Sequence, residues 1–182
     1  MLDNARLILR EIDQVLAQVN PAAVDRLLNC LVASKTVITY GLGREGLVMR
    51  SFAMRLMHLG VKTAVVGDMT TPPAGPGDLF LVSCGPGSLS TVAALTGIVH
   101  ESGAQVFMLT AQPDLPLPQH ADHLRVTPAQ TMAQQEGSTS GQAMGSVYEQ
   151  AMWVLFDALV PILMQRLDQT AADLRRRHTN LE

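Results

Sequence analysis

The chain has 182 residues, 47% of them hydrophobic and 16% charged, with 14 Gly and 10 Pro; it can bury a core and is not low-complexity, which excludes intrinsic disorder. Its formal charge is −3, and the basic residues are dispersed apart from Arg175, Arg176 and Arg177, so no basic stripe invites nucleic acid. The opening segment mixes charges into its apolar residues, unlike a signal peptide or anchor, and the most apolar stretch, 151–164, is shorter than the ~20 residues of a membrane span. Cys30 and Cys84 lie far apart without metal-ligand spacing, which makes a reduced cytosol the expected compartment and residues 1–182 one expected domain.

In chain order, Ile8, Ile12, Val15, Leu16 and Val19 recur at helical spacing and predict an amphipathic first helix. Asn20-Pro21 reads as an N-cap followed by proline at the first helical position, opening a second helix through Leu27, Leu28 and Leu31. The β-branched run 36–40 predicts a buried strand, the turn GLGREG (41–46) follows, and a helix is expected over 47–59 with Gly60 as its stop. Strands are expected at 61–66, 78–82, 105–109 and 123–126, with the turn CGPGS and a helix ending at Gly103 between the third and fourth. Strands alternating with helices indicate an α/β fold with a parallel sheet. The proline-rich stretch 112–120 is expected to be neither helix nor central strand, and the polar stretch 127–142 to be a functional or mobile loop. A long apolar helix at 143–167 and a short Arg-rich one opened by Thr170 complete the chain. The two N-terminal helices and the apolar long helix offer more hydrophobic surface than the sheet hides, which predicts a homo-oligomer.

In open α/β sheets ligands bind where strands end and helices begin. Here 41–46 and 84–90 fit: Gly41, Gly43, Gly85 and Gly87 let backbone N–H groups approach an anion, and Arg44 adds a guanidinium. The plainer alternative is that these glycines only make tight turns, and GLGREG lacks the third glycine of the dinucleotide fingerprint. Among acid–base candidates, His58 reads as a helix-end histidine, His178 as part of a solvated tail, and His100, His120 and His123 as structural. Glu149, near a helix start after a polar loop, is a candidate general base, though a surface glutamate is the commoner finding.

Several segments together resemble one family. The segment GLGREGLVMRSFAMRLMHLG (41–60) is similar to the G-x-G-R-S-G turn and F-A-M-R-L-x-H-L-G helix of the 6-phospho-3-hexuloisomerases, which belong to the sugar isomerase (SIS) domain superfamily. VVGDMTTPP (65–73) resembles that family's V-G-E-T-T-T-P loop, AMGSVYEQ (143–150) its P-M-G-T-x-F-E-Q segment, and RRHTNLE (176–182) its R-H-x-N-L-E tail. The resemblance implies a five-stranded flavodoxin-like sheet and a homo-oligomer, usually a tetramer, with sites near subunit contacts. It also implies isomerisation of a 3-ketose 6-phosphate to fructose 6-phosphate through an enediol, with no metal or organic cofactor. By that resemblance Glu149 is the base for the carbon-bound proton, His178 serves hydroxyl–carbonyl proton exchange, in its own subunit or a neighbour's, and Arg44 and His58 belong to the binding motif.

The chain also departs from the family. The S-G-S-G-E-T phosphate loop is replaced by Cys84, Gly85, Pro86, Gly87, Ser88 and Leu89, without the three hydroxyls, and Pro86 also lacks an N–H. Glu45 stands where the family has serine, placing an anion near the expected phosphate. Ser83, Ser88, Ser90 and Thr91 are the hydroxyls that could compensate. Two other readings therefore stay open: a catalytically silent sugar-binding regulatory module, and an isomerase of an unphosphorylated sugar or sugar acid.

Overall fold

A computed structural model describes residues 2–131 and 140–181. Helices α1 (Leu2–Ala17) and α2 (Pro21–Ala33) precede β1 (Val37–Tyr40), α3 (Gly43–His58), β2 (Thr63–Val65) and β3 (Leu79–Ser83). Then come α4 (Ser90–Ser102), β4 (Gln105–Thr110), α5 (Pro116–Gln119), β5 (His123–Val126), a 3-10 turn at Ala143–Gly145, α6 (Ser146–Arg166) and α7 (Ala171–Arg177). Asn20 caps α2 as its sequence predicts, its side chain accepting the Ala22 N–H at 2.9 Å.

All strand pairs are parallel, in the order β2-β1-β3-β4-β5, the flavodoxin-like arrangement. Strands buried on both faces carry apolar residues at nearly every position, and alternate residues feed two cores. Val37, Leu79, Leu81, Phe107 and Leu109 join α1, α2, α3 and α6 on one face. Ile38, Phe80, Val82, Val106 and Met108 join α4 on the other. The strand order reverses between β1 and β3, so α3 and α4 leave toward opposite faces and the loops before them part into a crevice. Helix α6 is long and apolar enough to cross a membrane, but half of its apolar window is buried against neighbouring helices.

Several expectations need correction. Helix α3 begins at Gly43 rather than 47, so most of GLGREG is its first turn. The 112–120 stretch does contain a helical turn, α5, because Pro116 and Pro118 fall in a first turn, where backbone N–H groups need no partner. Within the polar stretch 127–142, residues 132–139, which include Gly137, Ser138 and Thr139, lie outside the described residues. Its end is tied to α1: the Glu11 carboxylate accepts hydrogen bonds from the Ser140 hydroxyl, the Gly141 N–H and the Gln142 side-chain amide, each at 2.8 Å.

The C-terminal end of α3 is closed twice. Gly60, at φ +85°, lets the Gly60 and Val61 N–H groups return to the carbonyls of Met57 and Leu56. From α7, Arg177 donates to the His58 carbonyl and to the Gln169 side chain, both at 2.8 Å. A different arginine is buried without such compensation. Arg125 on β5 is 1% exposed; its Nη1 donates to the Thr127 hydroxyl, while among the described residues Nε and Nη2 have no partner. Burial draws its guanidinium down to about 10. A buried charge with unmet donors costs stability, so Arg125→Met is expected to gain about 1–3 kcal/mol, read as a raised urea midpoint with unchanged slope.

Candidate functional site

The site forms at the reversal between β1 and β3. Gly41 ends β1 so close to α3 that a Cβ on Gly46 would collide with the Gly41 carbonyl oxygen, and one on Gly41 would lie 3.0 Å from the Gly46 nitrogen. Glycine at position 46 is what allows that approach, and a side chain at position 41 would press on the α3 backbone. It fixes the first turn of α3, where Arg44 and Glu45, about 100° apart around the helix, point to different neighbours.

Arg44 reaches across to α6 and donates from Nε to Glu149 Oε2 at 2.6 Å. Glu149 lies in the first turn of α6, nearer the helix start than expected, and its side chain is 13% exposed against 65% for Arg44. The pair borders an apolar groove of about 450 Å³ lined also by Ile8, Leu47 and Trp153. A second groove of about 530 Å³ lies along β2 and contains Arg50, Asp68 and Thr71 but neither member of this pair.

Glu45 turns inward. Its Oε2 accepts from the Ser83 hydroxyl at 2.5 Å and from the Gly85 N–H at 3.0 Å. Ser83 in turn shares a hydrogen bond of 3.2 Å with the buried Tyr148 hydroxyl. Burial, with the neighbouring Glu45 charge adding to it, pushes the Tyr148 phenol well above its ordinary range. The same two causes push the Cys84 thiol up to about 11, with the nearby Gly87 and Leu89 N–H groups opposing them. Cys84 is therefore a neutral, buried loop residue.

The loop residues Cys84, Gly85, Gly87 and Ser88, with Ser90 at the start of α4, thus lie across the crevice from Gly41, Gly43, Arg44 and Glu45. Two expected site residues lie elsewhere in the same chain. His58, 6% exposed, is the last residue of α3, and its ring stacks on that of His178 with centroids 5.2 Å apart. From Arg44 to His58 the α3 axis rises about 21 Å, so His178 and Glu149 are at opposite ends of one helix. His100 donates from its Nε2–H to the His120 carbonyl at 2.7 Å, a structural contact, and His123 packs on Phe107. Among the described residues no group of three His, Cys, Asp or Glu side chains could hold a metal ion.

The roles of Tyr148 and Arg125 were not visible in the sequence. Tyr148 stands at the phenylalanine of the similar motif, and its extra hydroxyl was the available signal; a lone arginine in a short strand gave none.

A family model described as SIS domain matches residues 30–154. The chain is 37% identical over 180 residues to a 3-hexulose-6-phosphate isomerase of Mycobacterium gastri, covering 99% of this chain and 90% of that one. It is 34% identical over 179 residues to a 3-hexulose-6-phosphate isomerase of Bacillus subtilis (strain 168), covering 96% and 95%. The fold matches a hypothetical protein of Methanococcus jannaschii, for which a molecular function of 3-hexulose-6-phosphate isomerase was inferred, with a TM-score of 0.85 at 24% identity over 99% of both chains.

Replacing Gly46 with alanine tests the close turn. The variant is expected to lose about 1–3 kcal/mol in urea unfolding, because its neighbour is rigid backbone rather than a movable side chain.

Proposed function

The chain belongs to the SIS domain family, and from that premise we propose that it is a cytosolic sugar-phosphate isomerase, interconverting 3-hexulose 6-phosphate and fructose 6-phosphate. The observation that carries the reading is the mostly buried Glu149 carboxylate held by Arg44 beside the crevice of the sheet. The relatives named 3-hexulose-6-phosphate isomerase over nearly the full chain support it.

The reaction moves a carbonyl from C3 to C2. Glu149 takes the proton from C2 of the 3-ketose, leaving an enediol between C2 and C3, and returns a proton to C3. The O2 hydroxyl loses its proton as O3 gains one, an exchange suited to an imidazole that both donates and accepts. Arg44 fixes the direction in which the carboxylate faces its substrate. The 84–89 loop and the N-terminus of α4, whose N-cap Leu89 supplies no side-chain hydrogen bond, receive the phosphate.

His178 fills the imidazole role from a second copy of the chain, since its own Glu149 is a helix length away. The exposed Leu47, Trp153 and Val154 around the Arg44–Glu149 pair give such a copy an apolar surface to pack on. The assembly is therefore a homo-oligomer whose sites are completed between subunits.

Glu149→Gln keeps the side chain's shape and removes its basicity. It should retain the fold by circular dichroism and lose about 10²–10⁴-fold in both isomerisation and incorporation of solvent deuterium at the substrate carbon. Exchange near the wild-type rate would remove Glu149 from the mechanism.

A further inference from the structure

At the crevice floor, the carboxylate of Glu45 spans from the first turn of α3 to the loop after β3, two segments that leave the sheet toward opposite faces. It lies where an anion bound by the loop would make its own contacts. A Cβ on Gly85 would come within 2.8 Å of Glu45 Oε1 and 3.0 Å of the Tyr148 ring, so carboxylate and phenol close over this glycine.

Two of the loop's other backbone donors are also engaged. The Cys84 N–H donates to the Leu109 carbonyl and the Gly87 N–H to the Cys84 carbonyl, each at 2.9 Å. The Leu89 N–H lies beside the Cys84 thiol and opposes the rise of its pKa, and Pro86 has no N–H. A phosphate that takes the Gly85 N–H must share it with Glu45 Oε2 or displace that oxygen. While Glu45 is ionised, both acceptors are anionic and repel each other at contact distance. A protonated Glu45 becomes a hydrogen-bond donor, able to keep its place and donate to a phosphate oxygen.

We infer that Glu45 is a specificity-determining residue that couples ligand entry to protonation: a phosphate binds at the 84–89 loop together with one proton, taken from solvent by the Glu45 carboxylate. The inference rests on the reading that this loop receives a phosphorylated sugar, and it adds the condition under which it does so. An unphosphorylated hydroxyl would donate to the ionised carboxylate and needs no such proton.

The surroundings agree. Burial raises the Glu45 carboxyl, the Ser83 and Gly85 hydrogen bonds oppose that rise, and the charge of Glu149 adds to it. Around it stand Ser83 and Cys84 from β3 and its loop, Tyr148 and Glu149 from α6, and Arg44 on its own helix. Arg44 is committed to Glu149, and Arg125 of β5 faces the Tyr148 phenol.

Calorimetry of fructose 6-phosphate binding, in buffers of different ionisation enthalpy and across a neutral-to-alkaline series, tests the coupling on the wild-type protein, Glu45→Gln and Glu45→Ser. The ligand's own phosphate titrates alike in all three, so the difference between proteins isolates Glu45. The wild type should take up about one more proton per ligand than either variant, and its affinity should fall about tenfold more steeply per pH unit while Glu45 is ionised in the free protein. Equal proton uptake and equal slopes would overturn the coupling and leave the phosphate reading standing. Binding of fructose 6-phosphate to none of the three, at any pH, would overturn both. Two variants of different size guard against a fold that rejects one of them.

Discussion

The contact on which the site depends is backbone on backbone: Gly46 of α3 against the carbonyl of Gly41 at the end of β1. Because that approach fixes the axis and rotation of α3's first turn, it also fixes where the next charged side chains go. Arg44 is delivered to α6 and Glu45 to the loop after β3. Neither destination is adjacent in sequence. The doubly wound sheet brings them together, because the strand order reverses between β1 and β3 and opens the crevice that both residues border.

The far end of the same helix is fixed as firmly. The left-handed Gly60 and the Arg177 guanidinium satisfy the last carbonyls of α3, and His58 and His178 stack beside them. Helix α3 therefore acts as a spacer with one candidate catalytic group at each end. A packed helix of this length does not bend to bring them together, which is why the proposed mechanism draws His178 from a second copy of the chain.

Much of the fold was legible because its signals are local. The β-branched and apolar runs marked all five strands, Asn20-Pro21 marked the start of α2, and Gly60 marked the stop of α3. The two glycine turns were read as one candidate site, and the structure places them across one crevice. What escaped the sequence depends on contacts between distant residues. Glu45 looked like a charge set against a ligand, whereas its carboxylate is held by Ser83 and Gly85 of another strand–loop unit. Arg125 carries no local signal within the strand 123–126, and only its register beside Leu109 turns it into the core. The bonds from 140–142 to Glu11 span almost the whole chain, and no local pattern announces them.

A site divided between copies can be tested by mixing. Glu149→Gln and His178→Gln proteins, each inactive alone, are unfolded together and refolded as one population, and isomerisation is assayed. If Glu149 of one copy works with His178 of another, the mixture regains about a quarter of the wild-type rate, the share of randomly paired sites that receive both intact groups. If both groups act within one chain, no site in the mixture is intact, and activity that stays at the level of the separate variants would contradict the account.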